Sequence, residues 1–335
     1  MSDVRQLETR LGRGEVIILD GAVGTQLQQM GVPMDNTAWA ATALETHPFT
    51  VRRQHELYVS AGVDVITTNT YSSARHNLEP LGLGDRTGEL NLRAVALAQE
   101  ARDRAARDRP VWVAGSVSSF GLVTGGEPRQ ALHRYAQPRS AITADQSQAN
   151  LFEQAALLAE AGVDLLLAES TSGPLLRRWV LEACLATGLP VWVGFKCRVE
   201  PGDPAVKVGY STDAPLASHV DEMLALGGAV VAVFHSSVAD TTAALGQVRE
   251  RWSGPIAVYP EAERTDYTAA SYDPAEPSRL SPAEFVTQAR RWVQAGVQIV
   301  GGCCGVGVEY VRPLRAALPT HVPARRLPAV APQAR

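Results

Sequence analysis

One short phrase, written along the chain several times, constrains its fold more than any other feature. It reads Ala61-Gly62-Val63-Asp64-Val65-Ile66, Ala161-Gly162-Val163-Asp164-Leu165-Leu166 and Ala295-Gly296-Val297-Gln298-Ile299-Val300, with Leu226-Gly227-Gly228-Ala229-Val230-Val231 as a variant. Each copy ends a stretch of helical periodicity. The glycine stands where a helix C-cap needs a left-handed residue, and a short apolar strand follows. A chain that repeats the helix-to-strand join is building βα units.

Collecting every such strand gives eight: 16–19, 63–67, 111–115, 163–168, 191–195, 230–234, 256–259 and 297–300. All are short and rich in β-branched residues, as strands buried on both faces are. Helical patterns lie between them over 52–61, 89–107, 148–161, 175–186, 216–226 and 282–295. This alternation predicts an α/β protein with a parallel sheet, and a count of eight predicts a single (β/α)8 TIM barrel. The 335 residues fit one barrel of ~250 residues with insertions. No G-x-G-x-x-G follows a strand, which argues against a dinucleotide fold. Two long connections, 116–146 and 261–281, follow strands and are expected on the C-terminal face as lids. Residues 1–318 are read as the barrel domain and 319–335, with four prolines, as a mobile Pro-rich C-terminal tail.

Composition narrows the partners. Lys plus Arg number 31 against 35 Asp plus Glu, a formal charge of -4, the wrong sign for gripping a phosphate backbone, so no nucleic acid partner is expected. No run approaches the ~18 apolar residues of a membrane span, and residues 1–14 lack the apolar core of a secretion signal. No membrane partner is expected. Four cysteines are too few for a disulfide framework and two of them are adjacent, so reduced thiols in the cytoplasm are expected. The outer helices permit a homo-oligomer without requiring one.

Barrel chemistry sits where strands end. The residues there are Asp20 and Thr25, Thr68 and Asn69, Ser116, Glu169, Lys196 and Cys197, His235 and Ser236, Glu261, and finally Cys303 and Cys304. In Gly301-Gly302-Cys303-Cys304-Gly305 the glycines let the backbone turn sharply enough for two consecutive thiolates to approach one soft metal ion, zinc above all. Adjacent cysteines also serve as small core residues or as a vicinal disulfide, and spacing alone leaves these readings open. Asp20 and Glu169 are acceptors suited to an ammonium group, or to capping a helix.

These motifs together resemble the homocysteine S-methyltransferase family. The resemblance rests on Asp20-Gly21-Ala22-Val23-Gly24-Thr25 after the first strand and Thr67-Thr68-Asn69-Thr70-Tyr71 after the second. It rests also on Ala168-Glu169 after the fourth strand and the Gly-Gly-Cys-Cys-Gly run after the eighth. It implies an enzyme, a zinc-dependent methyltransferase that moves a methyl group from a sulfonium or quaternary ammonium donor, such as S-methylmethionine or betaine, to the thiol of homocysteine, forming methionine. It implies Zn2+ as cofactor, held by Cys303, Cys304 and a third ligand after the sixth strand, with no catalytic residue beyond the metal site. It assigns Asp20 and Glu169 to homocysteine. Thr25, Thr68 and Asn69 are expected around its carboxylate end.

The third metal position departs from the family's Asn-Cys-Thr: here the run is Val233-Phe234-His235-Ser236-Ser237, which puts His235 in the cysteine's place. His with two Cys is a recognised catalytic zinc set, and a neutral imidazole in place of a thiolate makes zinc more electrophilic. A lone imidazole bonded to a neighbour, or Cys197 as third ligand, are the competing readings. Gln26 stands where the family often has Glu, and Tyr259-Pro260-Glu261-Ala262-Glu263 replaces a run that begins Tyr-Pro-Asn. Glu261 and Tyr71, with Trp39 and Phe120, are expected to attract a cationic donor. The alternatives are a different thiol or selenol acceptor, or a silent binding barrel that has lost zinc. A metal hydrolase ranks lower because none of the seven histidines forms H-x-H.

Overall fold

The computed structural model describes residues 4–107, 109–122, 142–210, 212–262 and 280–323. Ten strands lie in them: β1 (Ile17–Ile18), β2 (Val65–Thr67), β3 (Trp112–Ser118), β4 (Leu165–Ser170), β5 (Val191–Phe195), β6 (Cys197–Glu200), β7 (Asp203–Val208), β8 (Val230–Phe234), β9 (Ile256–Tyr259) and β10 (Ile299–Val300). Eight form one parallel sheet in the order β1-β10-β9-β8-β5-β4-β3-β2. Its ends meet, because Asp64 N donates to Ile18 O at 2.7 Å and Asp20 N to Val65 O at 3.0 Å, with Leu19 paired to Val65. The sheet is therefore a (β/α)8 TIM barrel, and its strands are the eight expected from the sequence.

The repeated phrase has a mechanical meaning here. Gly62 adopts φ 110° and Gly162 φ 84°, which reverses the chain at each helix end. The aspartate two residues later then clasps the preceding strand. Asp64 accepts from Ile18 N at 2.8 Å and Asp164 from Val113 N at 2.7 Å. In each case the aspartate's own backbone N–H donates back to the same residue.

Side-chain parity sorts the strands into two cores. Ile17, Leu19, Val65, Trp112, Ala114, Leu165, Leu167, Trp192, Ala232, Phe234, Ala257, Tyr259 and Ile299 share one buried cluster inside the barrel. Their sequence neighbours, such as Val113, Leu166, Val193, Val231 and Val258, share another with the surrounding helices. The helix Val4–Gly12 closes the N-terminal end, with Leu7 and Leu11 joining the inner cluster.

One element was not anticipated. The antiparallel pair β6 and β7 follows β5 directly, turning through Pro201 and Gly202, the latter at φ 83°. The lid segments fall largely on 123–141 and 263–279, outside the described residues. Of the expected tail, the described part is held in place: Val16 N donates to Thr320 O at 2.8 Å and Val322 N to Gly14 O at 2.9 Å. Residues 324–335 lie outside the described residues. Among the described residues no helix is long and apolar enough to cross a membrane.

Candidate metal centre

Three strand ends bring four ligand-type side chains together. Inward parity on β9 runs Ala257, Tyr259 and then Glu261, and on β10 it runs Ile299, Gly301 and then Cys303. On β8 it would carry Phe234 inward and His235 outward. His235 instead takes φ 47°, a left-handed conformation rare for a side chain of this size, and sits only 4% exposed beside the two other strand ends. Strain of this kind is held by the surrounding structure.

The His235 Nδ1 lies 3.1 Å from Cys303 Sγ and 3.0 Å from Glu261 Oε1. Cys303 Sγ and Cys304 Sγ are 4.0 Å apart, well beyond a disulfide bond length, and both cysteines are free thiols. One donor atom from each of His235, Glu261, Cys303 and Cys304 falls within 4.8 Å of the other three. Zinc bonds of about 2.0 to 2.3 Å at tetrahedral angles place ligand atoms roughly 3.3 to 3.8 Å apart, so this group has the size and the donor chemistry to hold a metal ion. Its backbone is cross-tied: Glu261 N donates to Ser236 O at 3.0 Å, Cys303 N to Pro260 O at 2.7 Å, and Ala262 N to Cys304 O at 3.0 Å. Gly302 could carry no side chain, since a Cβ there would stand 2.1 Å from Val306.

The two thiols differ. Cys303 donates to Cys304, which holds the Cys303 proton in place and pushes its pKa well up, while the same bond lowers that of Cys304.

Asp20 and Glu169 are buried, at 2% and 6% exposure. Burial pushes the Asp20 carboxyl up to about 8, against the pull of its bonds from Thr67, and the charge of Glu169 adds to the rise. Burial likewise raises Glu169 to about 7, opposed by the Ser116 hydroxyl that donates to it. The threonine that grips Asp20 is Thr67, through its N–H at 2.7 Å and its hydroxyl at 2.8 Å. Inward parity on β2, Val65 then Thr67, marks it, whereas the sequence reading singled out Thr68.

Thr68 Oγ1 instead meets Thr70 Oγ1 at 2.8 Å, and Asn69 Nδ2 donates to Ala40 O at 2.8 Å. Thr25 Oγ1 accepts from Gly305 N at 3.2 Å, pinning the cysteine loop. The Tyr71 ring centroid lies 6.3 Å from that of His235 and 5.5 Å from that of Phe120. Tyr210, beyond the unanticipated β6–β7 pair, packs edge-on to His235 at 5.8 Å with Lys196 Nζ 4.6 Å from its centroid. Cys197 is fully buried, its Sγ 3.7 Å from Phe195 O, and is not among the four grouped donors.

Comparison with known proteins agrees with this architecture. The metallated form of the homocysteine methyltransferase MmuM from Escherichia coli superposes with TM-score 0.70 at 24% identity, over 92% of this chain and 99% of that one. Among curated relatives, the selenocysteine methyltransferase of Astragalus bisulcatus is 27% identical over 89% of this chain and 91% of its own length. The homocysteine S-methyltransferase of Escherichia coli (strain K12) is 27% identical over 94% of this chain and 99% of its own length. The family model described as homocysteine S-methyltransferase matches residues 17–318, from the first barrel strand past the last, so the whole barrel and the cysteine loop it carries lie inside the match. The chain belongs to the homocysteine S-methyltransferase family.

Proposed function

We propose that this chain is a zinc-dependent S-methyltransferase that moves a methyl group from a sulfonium or quaternary ammonium donor to the thiol of homocysteine, forming methionine. The observation that carries this reading is the convergence of His235, Cys303 and Cys304 at the C-terminal ends of three barrel strands, with donor atoms within 4.8 Å. Those three side chains would hold the zinc. When bound there, zinc acts as a Lewis acid that keeps a coordinated thiol deprotonated at neutral pH.

The remaining roles belong to the protein. Asp20 and Glu169, both buried, hold the ammonium of the amino acid. A cation between them offsets the cost of ionising two buried carboxylates. Thr25 keeps its hydroxyl proton after accepting from Gly305, and Asn69 keeps a second amide hydrogen, so both can donate to the substrate carboxylate, whereas the Thr70 proton goes to Ser116 O and leaves the Thr68 proton to Thr70. Tyr71 and Phe120 form an aromatic wall beside His235 that suits an onium methyl group. The barrel's contribution to rate is then alignment of sulfur and methyl for in-line displacement. Vicinal thiols that must stay reduced fit a cytoplasmic setting.

The test is zinc per chain by mass spectrometry on protein purified under reducing conditions, followed by methionine formation from homocysteine with S-methylmethionine and with betaine. One zinc per chain and methionine with either donor support the reading. No metal uptake on adding zinc favours a silent barrel, and zinc without methionine directs the assay to selenocysteine and other thiols.

A further inference from the structure

We infer that Glu261 is a fourth protein ligand of the metal, and the one that the thiolate of homocysteine displaces; the inference rests on the zinc methyltransferase reading above. Sequence reasoning placed Glu261 toward the cationic donor. The geometry turns it the other way. Its Oε1 lies 3.0 Å from His235 Nδ1, the same nitrogen that lies 3.1 Å from Cys303 Sγ. Imidazole, carboxylate and thiol thus converge on one point, and Cys304 completes the group.

Burial supports the assignment. Glu261 is only 2% exposed, yet its carboxylate stands within the same group as two cysteine sulfurs. A buried anionic cluster of this kind is stable when a divalent cation sits within it. Backbone bonds fix the carboxylate's origin: Glu261 N to Ser236 O holds it to the His235 loop, and Ala262 N to Cys304 O holds it to the cysteine loop. A residue that only greeted a donor at the mouth of the barrel would not need to be tied to both ligand loops.

Charge explains why this ligand is the one that leaves. Zn2+ with one neutral imidazole, one carboxylate and two thiolates carries a net charge of about -1, counted from the ordinary ionisation of those groups. Exchange of the carboxylate for a substrate thiolate leaves that charge unchanged. A substrate thiol taking the carboxylate's place would give up its proton to solvent. Zinc holds sulfur better than carboxylate oxygen, so the oxygen is the weakest of the four donors.

The experiment compares the full chain with Glu261→Gln and Glu261→Asp, each stripped and reloaded. Zinc affinity is measured by competition with a chromophoric chelator, and the cobalt(II) form by its visible spectrum, with and without saturating homocysteine. Unfolding of the metal-free proteins is followed to confirm that both variants fold. Glu261→Gln is expected to weaken zinc binding by at least the roughly 10- to 100-fold that loss of a site's outer partners costs, with Glu261→Asp between it and the parent. Without homocysteine the cobalt spectra of parent and Glu261→Gln should differ; with it they should coincide, because the carboxylate has left. Equal zinc affinity and equal cobalt spectra in the absence of homocysteine would overturn the assignment. Spectra that still differ under saturating homocysteine would overturn the displacement. A parent chain that takes up neither metal would instead sink the zinc reading itself.

Discussion

At the scale of single residues, His235 holds its place among the strand ends with a positive φ. Asn tolerates that conformation better than most residues and is a poor zinc ligand, so His235→Asn separates loss of the imidazole from backbone strain. It is expected to lower zinc affinity by more than about 100-fold with little change in the unfolding temperature of the metal-free protein, read by chelator competition and circular dichroism. A variant that kept full affinity would remove His235 from the ligand set. Asp20 supports a different test, because its carboxyl titrates at about 8 in the folded chain against an ordinary 3.8. Between those values the folded protein holds a proton that the unfolded chain has released. Asp20 therefore contributes stability that is complete below pH 4 and is lost as pH rises through 8. In metal-free, substrate-free protein, the unfolding temperature of the parent relative to Asp20→Asn should fall from pH 5 to pH 8. A constant difference across that range would mean that Asp20 is ionised throughout.

At the scale of elements, the repeated Ala-Gly-Val-Asp phrase was legible because three separate constraints coincide in it. A left-handed helix end, a buried strand and an acceptor for the neighbouring strand all fall within four residues. The third constraint is a property of the partner strand, and only the fold reveals it. Asp164 accepts from Val113 N while burial raises its own pKa. Asp164→Ala should leave that amide without an acceptor and cost about 1 to 3 kcal/mol, which lowers the unfolding temperature by a few °C at most. Asp164→Asn, which still offers an oxygen, should lose less, and scanning calorimetry on the pair checks the order. The β6–β7 hairpin shows the opposite case. Its residues Cys197–Val208 look like a strand end followed by a polar loop, because the apolar alternation is short and broken by Pro201 and Gly202. Tyr210 beside His235 was missed with it, since nothing local to Tyr210 indicates which strand end it will cover.

At the scale of the whole molecule, the sequence exposed the barrel and the strand ends but not which strand-end groups would meet. Parity explains most of that gap. Thr67 rather than Thr68 grips Asp20, and Glu261 joins the cysteines, because both continue the inward rows of β2 and β9. His235 breaks its row, and no pattern in Val233-Phe234-His235-Ser236 announces the positive φ that turns it. The same parity separates two ends of one core. Leu7 and Leu11 of the helix Val4–Gly12 seal the N-terminal end against the inner cluster, and Gln298 Nε2 donates to Leu11 O at 2.8 Å to hold the seal. The candidate metal group occupies the opposite, C-terminal end of the strands. Its four donors are fixed by their own loops, through the backbone bonds among Ser236, Pro260, Glu261, Ala262, Cys303 and Cys304. Stability and metal affinity should therefore separate. Leu7→Ala, at a residue 2% exposed, should cost roughly 2 to 5 kcal/mol of folding free energy by opening a cavity in the seal. Zinc affinity of the folded variant at low temperature should match the parent. Chelator competition and thermal unfolding on the same preparation test this, and a large loss of zinc affinity in Leu7→Ala would mean that the inner core transmits strain from one end of the barrel to the other.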